Sequence, residues 1–290
     1  LEMELDFQLD FAFGRLPVDT VEDAQRMVDN IINYEQNPPE AASFYQDVAV
    51  AGAFQDGASN DPPDTYANRR FAKTSEDIRN YLNMEGYAPQ RLYHEYNGYN
   101  GNTLYPTYWN QIYYVFENDT PGGELDLEIQ KPQYSWDYSD FDVSNALNSG
   151  SFLLSHRDHG GRGGWGGPVY NRNDVDQLNN GEYLPVVWSV NCLTGYFDNE
   201  TDEPGAGTGD DDECFVEHWF RNPNGGAIGA VASTRVSYSG NNDRFVWGLM
   251  DAIWPSFLEW CQAEYPPHDP IYRMGDVVNY AKTYLVTNNE

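Results

Sequence analysis

Residues 151–167 read SFLLSHRDHGGRGGWGG: a short apolar run, then two histidines, an aspartate and a cluster of glycines. Farther along, LPVVWSVNCLTG ends a second apolar run at Cys192. A cysteine attacks carbonyls as thiolate, so it needs an electropositive setting or a histidine to take its proton. If the two runs are strands with a common edge, His159 meets that need. The Gly160-Gly161 pair lets backbone N–H groups approach a developing oxyanion, because no side chain blocks the way, and it leaves room for a substrate backbone beside the histidine. Gly195 then gives the chain a place to turn away from the cleft.

Other uses of these residues remain open on the sequence. His156 lies within its strand and reads as a hydrogen-bonded structural residue. His156, His159 and Cys192 are also an alternative zinc set, although no fourth ligand has a characteristic spacing. The HRD triplet does not make a kinase catalytic loop, which needs Asn five residues after the aspartate, where this chain has Gly163. Glu95, closing an earlier strand, is a candidate third member that would orient His159. Trp165, Ser237, Tyr238 and Ser239 are candidate cleft residues. Cys214 and Cys261, at the start and end of helices, read as packed or disulfide-bonded thiols. The chemistry requires no cofactor. Structural calcium is a candidate addition at the acidic stretch 198–213, which lacks the glycine of a calcium loop and otherwise reads as a solvated loop.

The elements that must position these groups follow from periodicity. LDFAFG (9–14) alternates like a strand. Thr20 can cap a helix that runs to Pro38-Pro39, with Val21, Ala24, Val28, Ile31 and Ile32 on one face. QDVAVAGAF (46–54) reads as a buried parallel strand. Residues 74–86 read as a helix opened by Thr74 and Asp77, and 90–96 as a strand. Region 97–142 is loop-rich, with one candidate strand at QIYYVFE (111–117). Strands at 151–156, 184–191 and 226–233 then alternate with helices near 172–179, 214–221 and 243–260. That rhythm predicts an α/β fold, a mostly parallel central sheet with helices on both faces, whose ligands bind at the carboxyl ends of the strands.

Over 290 residues, 40% hydrophobic composition supplies a core, and a net charge of −30 repels nucleic acid and anionic lipid. No apolar run is long enough to span a membrane, and the first residues lack the pattern of a signal peptide. The opening in mid-strand pattern suggests a chain that continues a longer one. The lysine-poor, acid-rich composition is similar to that of halophilic proteins, and bound cations would offset the same repulsion. Three cysteines are too few for a disulfide framework in a chain this long.

LLSHRDHGG, VVWSVNCLTGYFD, FGRLPVDTVEDAQRMVDNIINYE and NGGAIGAVASTRVSYSG together resemble the gingipain-type cysteine peptidases of the caspase-like clan, in order and over nearly the whole chain. The resemblance implies a caspase-like fold, His159-Gly160 as the catalytic His-Gly element, Cys192 as nucleophile, and an oxyanion held by the N–H groups of Gly160 and Cys192. It implies a cysteine endopeptidase working on polypeptides, extracellular or at the cell surface. Residues 1–37 would be the end of an upstream αβ subdomain, strand plus helix, and 38–290 the catalytic domain, with an upstream piece of the same precursor as a candidate partner. The arginine-cleaving members carry a tryptophan where this chain has Tyr238-Ser239-Gly240, so cleavage after arginine is not implied. Two alternatives share the fold: a sortase-like transpeptidase, and a non-catalytic surface or assembly protein.

Overall fold

The computed structural model describes residues 11–55, 67, 69–96, 126–130, 133–199 and 213–287. In chain order the helices are α1 (Val21–Gln36), α2 (Phe71–Met84), α3 (Asp140–Asn148), α4 (Arg172–Asp176), α5 (Phe215–Arg221), α6 (Ser239–Ile253), α7 (Phe257–Trp260) and α8 (Met274–Thr287). The strands are β1 (Asp47–Phe54), β2 (Ala88–Glu95), β3 (Leu153–Arg157), β4 (Gly160–Gly161), β5 (Gly164–Trp165), β6 (Tyr170–Asn171), β7 (Val186–Val190) and β8 (Gly229–Ala232). Residues 18–237 form one compact unit, and residues 1–17 with 238–290 form another.

The first unit is built on a five-stranded parallel sheet in the order β2-β1-β3-β7-β8. Strand order reverses between β1 and β3, and such a reversal opens a crevice beyond the carboxyl ends of those two strands. β1 is fully buried from Val48 to Phe54, as its unbroken apolar run requires. Helix α2 packs against β1, β2 and β3. Ala49, Ala51, Leu92, Leu154 and Val187 of the sheet share a second core with Val143 and Leu147 of α3 and with Phe215 and Trp219 of α5. A small antiparallel sheet, β4-β5-β6, follows directly on β3.

Several expected elements form with shifted ends. Thr20 caps α1, its Oγ1 accepting the Asp23 N–H at 3.0 Å. The apolar face of that helix is not covered, however: Met27 is buried, while Val21, Val28 and Ile32 are 80%, 40% and 44% exposed. No strand forms over residues 11–14; residues 9 and 10 of that expected strand lie outside the described residues. α2 begins at Phe71, with Arg70 at its N-cap, so Thr74 is a buried first-turn residue and not the cap. Helix 243–260 is two helices, because Pro255 disfavours a helical Trp254, which takes φ −119° and ψ 86°. The candidate strand 111–117 and most of 198–213 lie outside the described residues. α3, the β4-β5-β6 sheet and α8 were not expected.

In the second unit, buried Asp251 of α6 accepts the Leu258 N–H at 2.9 Å, His268 Nε2–H at 3.1 Å and the Tyr280 hydroxyl at 2.5 Å. Among the described residues no helix is long and apolar enough to cross a membrane.

Candidate active site

β3 and β7 pair in parallel with Arg157 opposite Val190. His159 and Cys192 therefore each follow their strand by the same short step, at the carboxyl edge. The two strand ends touch: a Cβ on Gly160 would lie 2.6 Å from Asn191 Cγ and 3.0 Å from the Cys192 carbonyl oxygen. Any side chain at 160 would push them apart. The open ground lies one residue on, at Gly161 and Gly163, where an added Cβ meets nothing within 4 Å.

His159 is held across the crevice between β1 and β3. Its Nε2 is 2.8 Å from Oε1 of Gln55, the residue that closes β1 and is 7% exposed. An amide oxygen only accepts, so Nε2 carries the proton and the Nδ1 lone pair is available. Phe71 and Tyr96 flank the imidazole at ring distances of 5.1 and 6.0 Å. Burial, then Arg69 and Arg157, hold its pKa below the ordinary histidine range, which keeps the ring neutral near pH 7. Glu95 lies on β2, with β1 between it and β3. The partner of His159 Nε2 is Gln55, a residue the sequence reading passed over. Its position directly after a fully buried strand at the reversal of strand order was the signal available.

Cys192 is half-buried, with its sulfur against Ser237: Sγ lies 3.3 Å from the carbonyl oxygen, 3.4 Å from the N–H nitrogen and 3.7 Å from Oγ. Ser237 Oγ also donates to the Asn191 carbonyl at 2.7 Å. The chain turns away through Leu193 and the Thr194-Gly195 turn that follows it. Leu193 has φ +61°, a left-handed conformation that costs a side-chain-bearing residue about 1–2 kcal/mol. Hydrogen bonds from its N–H to Arg235 O (3.3 Å) and from Tyr196 N–H to its carbonyl (3.1 Å) hold it there.

Two backbone donors stand at this edge. Gly166 N–H donates to His159 O at 3.0 Å, which makes 159 and 166 a hydrogen-bonded pair of the antiparallel ladder. Gly160, opposite Trp165, is then the non-bonded position, and its N–H points out of the ladder. The Cys192 N–H makes no hydrogen bond among the described residues.

Beneath the edge lies a closed polar network. His156 is fully buried and stacks on Trp165, with centroids 4.0 Å apart and planes 3° from parallel. Its Nε2–H donates to Gly167 O at 3.2 Å, so Nδ1 accepts from Asn191 Nδ2 at 2.9 Å. Asn191 Nδ2 also donates to Ser189 Oγ at 3.0 Å, Trp165 Nε1 donates to the same oxygen at 2.8 Å, and Thr194 Oγ1 donates to Asn191 Oδ1 at 2.7 Å. Burial brings the His156 pKa down to about 3. With both nitrogens engaged, His156 is not a zinc ligand, and no metal-holding cluster of His, Cys, Asp or Glu exists among the described residues. Trp165 is a core residue, 4% exposed, and not a cleft wall.

Asp158, between the histidines, is 2% exposed and accepts the Tyr96 hydroxyl; burial pushes its pKa up to about 7. Ser237 is beside Cys192, whereas Tyr238 (72% exposed) and Ser239 open α6 in the other compact unit. Neither Cys214 nor Cys261 is disulfide-bonded, and burial pushes the Cys214 thiol up to about 12.

The sequence profile of peptidase family C25 matches residues 3–290. No curated protein sequence matches the chain. Two solved structures are similar in fold over 99% of it. They are the Arg-specific cysteine proteinase gingipain R (RgpB), with TM-score 0.67 and 18% identity, and the complex of Porphyromonas gingivalis RgpB pro- and mature domains, with TM-score 0.65 and 19% identity. The match takes in 52% and 53% of those chains, so this chain spans about half the length of each.

Proposed function

The chain belongs to peptidase family C25, a family of cysteine peptidases, and from that premise we propose that it is an endopeptidase whose nucleophile is Cys192 and whose acid–base group is His159. The observation that carries the reading is the contact at Gly160, where the end of the His159 strand meets the Cys192 loop with no space for a side chain. The Cys192 thiol gives its proton to His159 Nδ1 as Sγ bonds to the scissile carbonyl carbon. The Gly160 and Cys192 N–H groups hold the oxyanion. Collapse breaks the C–N bond, and the imidazolium returns its proton to the leaving amine. Water, deprotonated by His159, then hydrolyses the thioester. Gln55 accepts the Nε2–H throughout as a positioning residue.

An amine in place of water in the last step would make the same site a transpeptidase, so an assay with an added amine nucleophile decides between the two products. The substrate is polypeptide. The uncovered apolar face of α1 supports an upstream piece of the same precursor as a partner. A net charge of −30 and the family's character support an extracellular or surface location, in a salt-rich medium or with bound calcium offsetting the charge. The test is a thiol-directed label at near-neutral pH: Cys192 is expected to react ahead of Cys214 and Cys261, and His159→Ala to slow it. A folded protein whose Cys192 stays unlabelled would be a scaffold and not a peptidase.

A further inference from the structure

Resting on the peptidase reading, the charge beside Cys192 bears on the substrate. The chain has 16 Lys and Arg against 46 Asp and Glu, so cations gathered in one place stand out. Two guanidiniums lie against the ring of Tyr196, just past Cys192: Arg162 Cζ is 5.3 Å and Arg235 Cζ 4.9 Å from its centroid. Arg162 belongs to the β4–β5 hairpin that begins at Gly160, between the open positions Gly161 and Gly163. Arg235 is fixed by its backbone, its carbonyl accepting the Leu193 N–H at 3.3 Å. It stands two residues before Ser237, which surrounds the sulfur. The two cations thus approach the Cys192 loop from separate segments. Arg235 meets Asp198 through two bonds of 2.8 and 2.6 Å, with the paired side chains 61% and 41% exposed. An ion pair this exposed contributes about 0–1 kcal/mol. A substrate carboxylate can therefore replace Asp198 at small cost and gain the same bidentate geometry.

We infer that the site takes a peptide with an acidic side chain, Asp or Glu, on the residue supplying the scissile carbonyl, held by Arg235 and Arg162 beside Tyr196, with Asp198 as an exchangeable placeholder. The overall negative charge opposes this at long range. Exposed charges farther than a Debye length, about 10 Å at 0.1 M salt, are largely screened, whereas guanidiniums in contact with the ligand are not. An arginine at that position would meet like charge, so the preference is opposite to the one named for RgpB.

Peptidyl acyloxymethyl ketones that differ only in this residue test it. The Cys192 sulfur displaces the carboxylate leaving group and forms one thioether at the ketone methylene, and intact mass counts the adduct. At near-neutral pH and about 0.1 M salt, the Asp or Glu probe is expected to label Cys192 roughly tenfold faster than its Asn or Gln isostere, and faster than Arg or Leu probes. Asp198→Asn should widen the acid-to-amide ratio. Arg235→Gln and Arg162→Gln, checked for fold by circular dichroism, should bring it toward one. Labelling blind to charge, or fastest with the Arg probe, overturns the inference and leaves the peptidase reading standing. Folded protein whose Cys192 reacts with none of the probes overturns both.

Discussion

His156 and His159 are three residues apart on one strand end, yet their surroundings give them opposite duties. His156 points into the sheet's α5 side, stacked on Trp165, with both nitrogens committed to Gly167 and Asn191. His159 lies past the strand, exposed, with one nitrogen on Gln55 and the other open. In the lower network His156, Asn191, Ser189, Trp165 and Thr194 satisfy one another; the upper has donors and a lone pair left over for a ligand. A buried polar group without its partner costs about 1–3 kcal/mol, so the lower network tolerates no missing member. The upper one can be incomplete because solvent or substrate completes it.

The sharpest way to break this contrast is to remove each histidine in turn. Cys192→Ala should abolish peptide cleavage, and His159→Ala should reduce it by roughly 10²–10⁴-fold, both with an unchanged denaturant midpoint. His156→Ala should instead cost about 2–4 kcal/mol of stability, since it leaves Asn191 and Gly167 unpaired and opens a cavity under Trp165. If unfolding curves rank His159→Ala as the more destabilised variant, the assignment of duties is reversed.

A smaller effect lies in the pH dependence of stability, where His156 and Asp158 act in opposite directions. The native His156 pKa of about 3 is below the unfolded 6.5, so its contribution is present above pH 6.5 and is lost as pH falls toward 3. The native Asp158 pKa of about 7 is above the unfolded 3.8, so its contribution is present below 3.8 and is lost as pH rises toward 7. Each contributes a slope of at most about 1.4 kcal/mol per pH unit, and the two oppose between about pH 4 and 6.5. In urea titrations over that window, Asp158→Asn should make stability climb more steeply with pH than in the parent. His156→Gln should make it climb less steeply or decline. Identical slopes in all three proteins would remove the account.

The smallest expected effect is at the orienting amide. Gln55→Glu would place a carboxylate on His159 Nε2, stabilise the imidazolium, and move the acid limb of the rate–pH profile upward by about one unit. An unmoved limb with an unchanged midpoint would mean that Gln55 does not act through His159.

Much of this was legible in the sequence, and the reasons differ from residue to residue. The buried run VAVAGAF and the paired strand ends at His159 and Cys192 carry a period-2 or continuous apolar signal, so the parallel sheet and its site edge could be expected. The Ser139 to Asp142 capping box announces α3, and Val277, Ala281 and Tyr284 mark the buried face of α8. Both signals are local and lie outside the strand–helix alternation that marks the sheet. Gln55 is different in kind. Nothing local distinguishes a glutamine at a strand end, and its use depends on β3 lying beside β1, a long-range pairing. The Leu193 turn was equally hidden, since tertiary hydrogen bonds to Arg235 override a strong preference against left-handed leucine.

The reversal of strand order between β1 and β3 also bears on timing during synthesis. The groups at the edge come from residues 55, 159 and 192, and they meet only when β1, β3 and β7 have all paired. Such distant pairings form late, because loop closure must precede the contacts that stabilise it. Under the proposed assignment, a nascent chain still short of β7 would lack its nucleophile, and one that has not docked β7 would have its thiol far from His159. Under that assignment the topology itself would delay activity until the sheet closes.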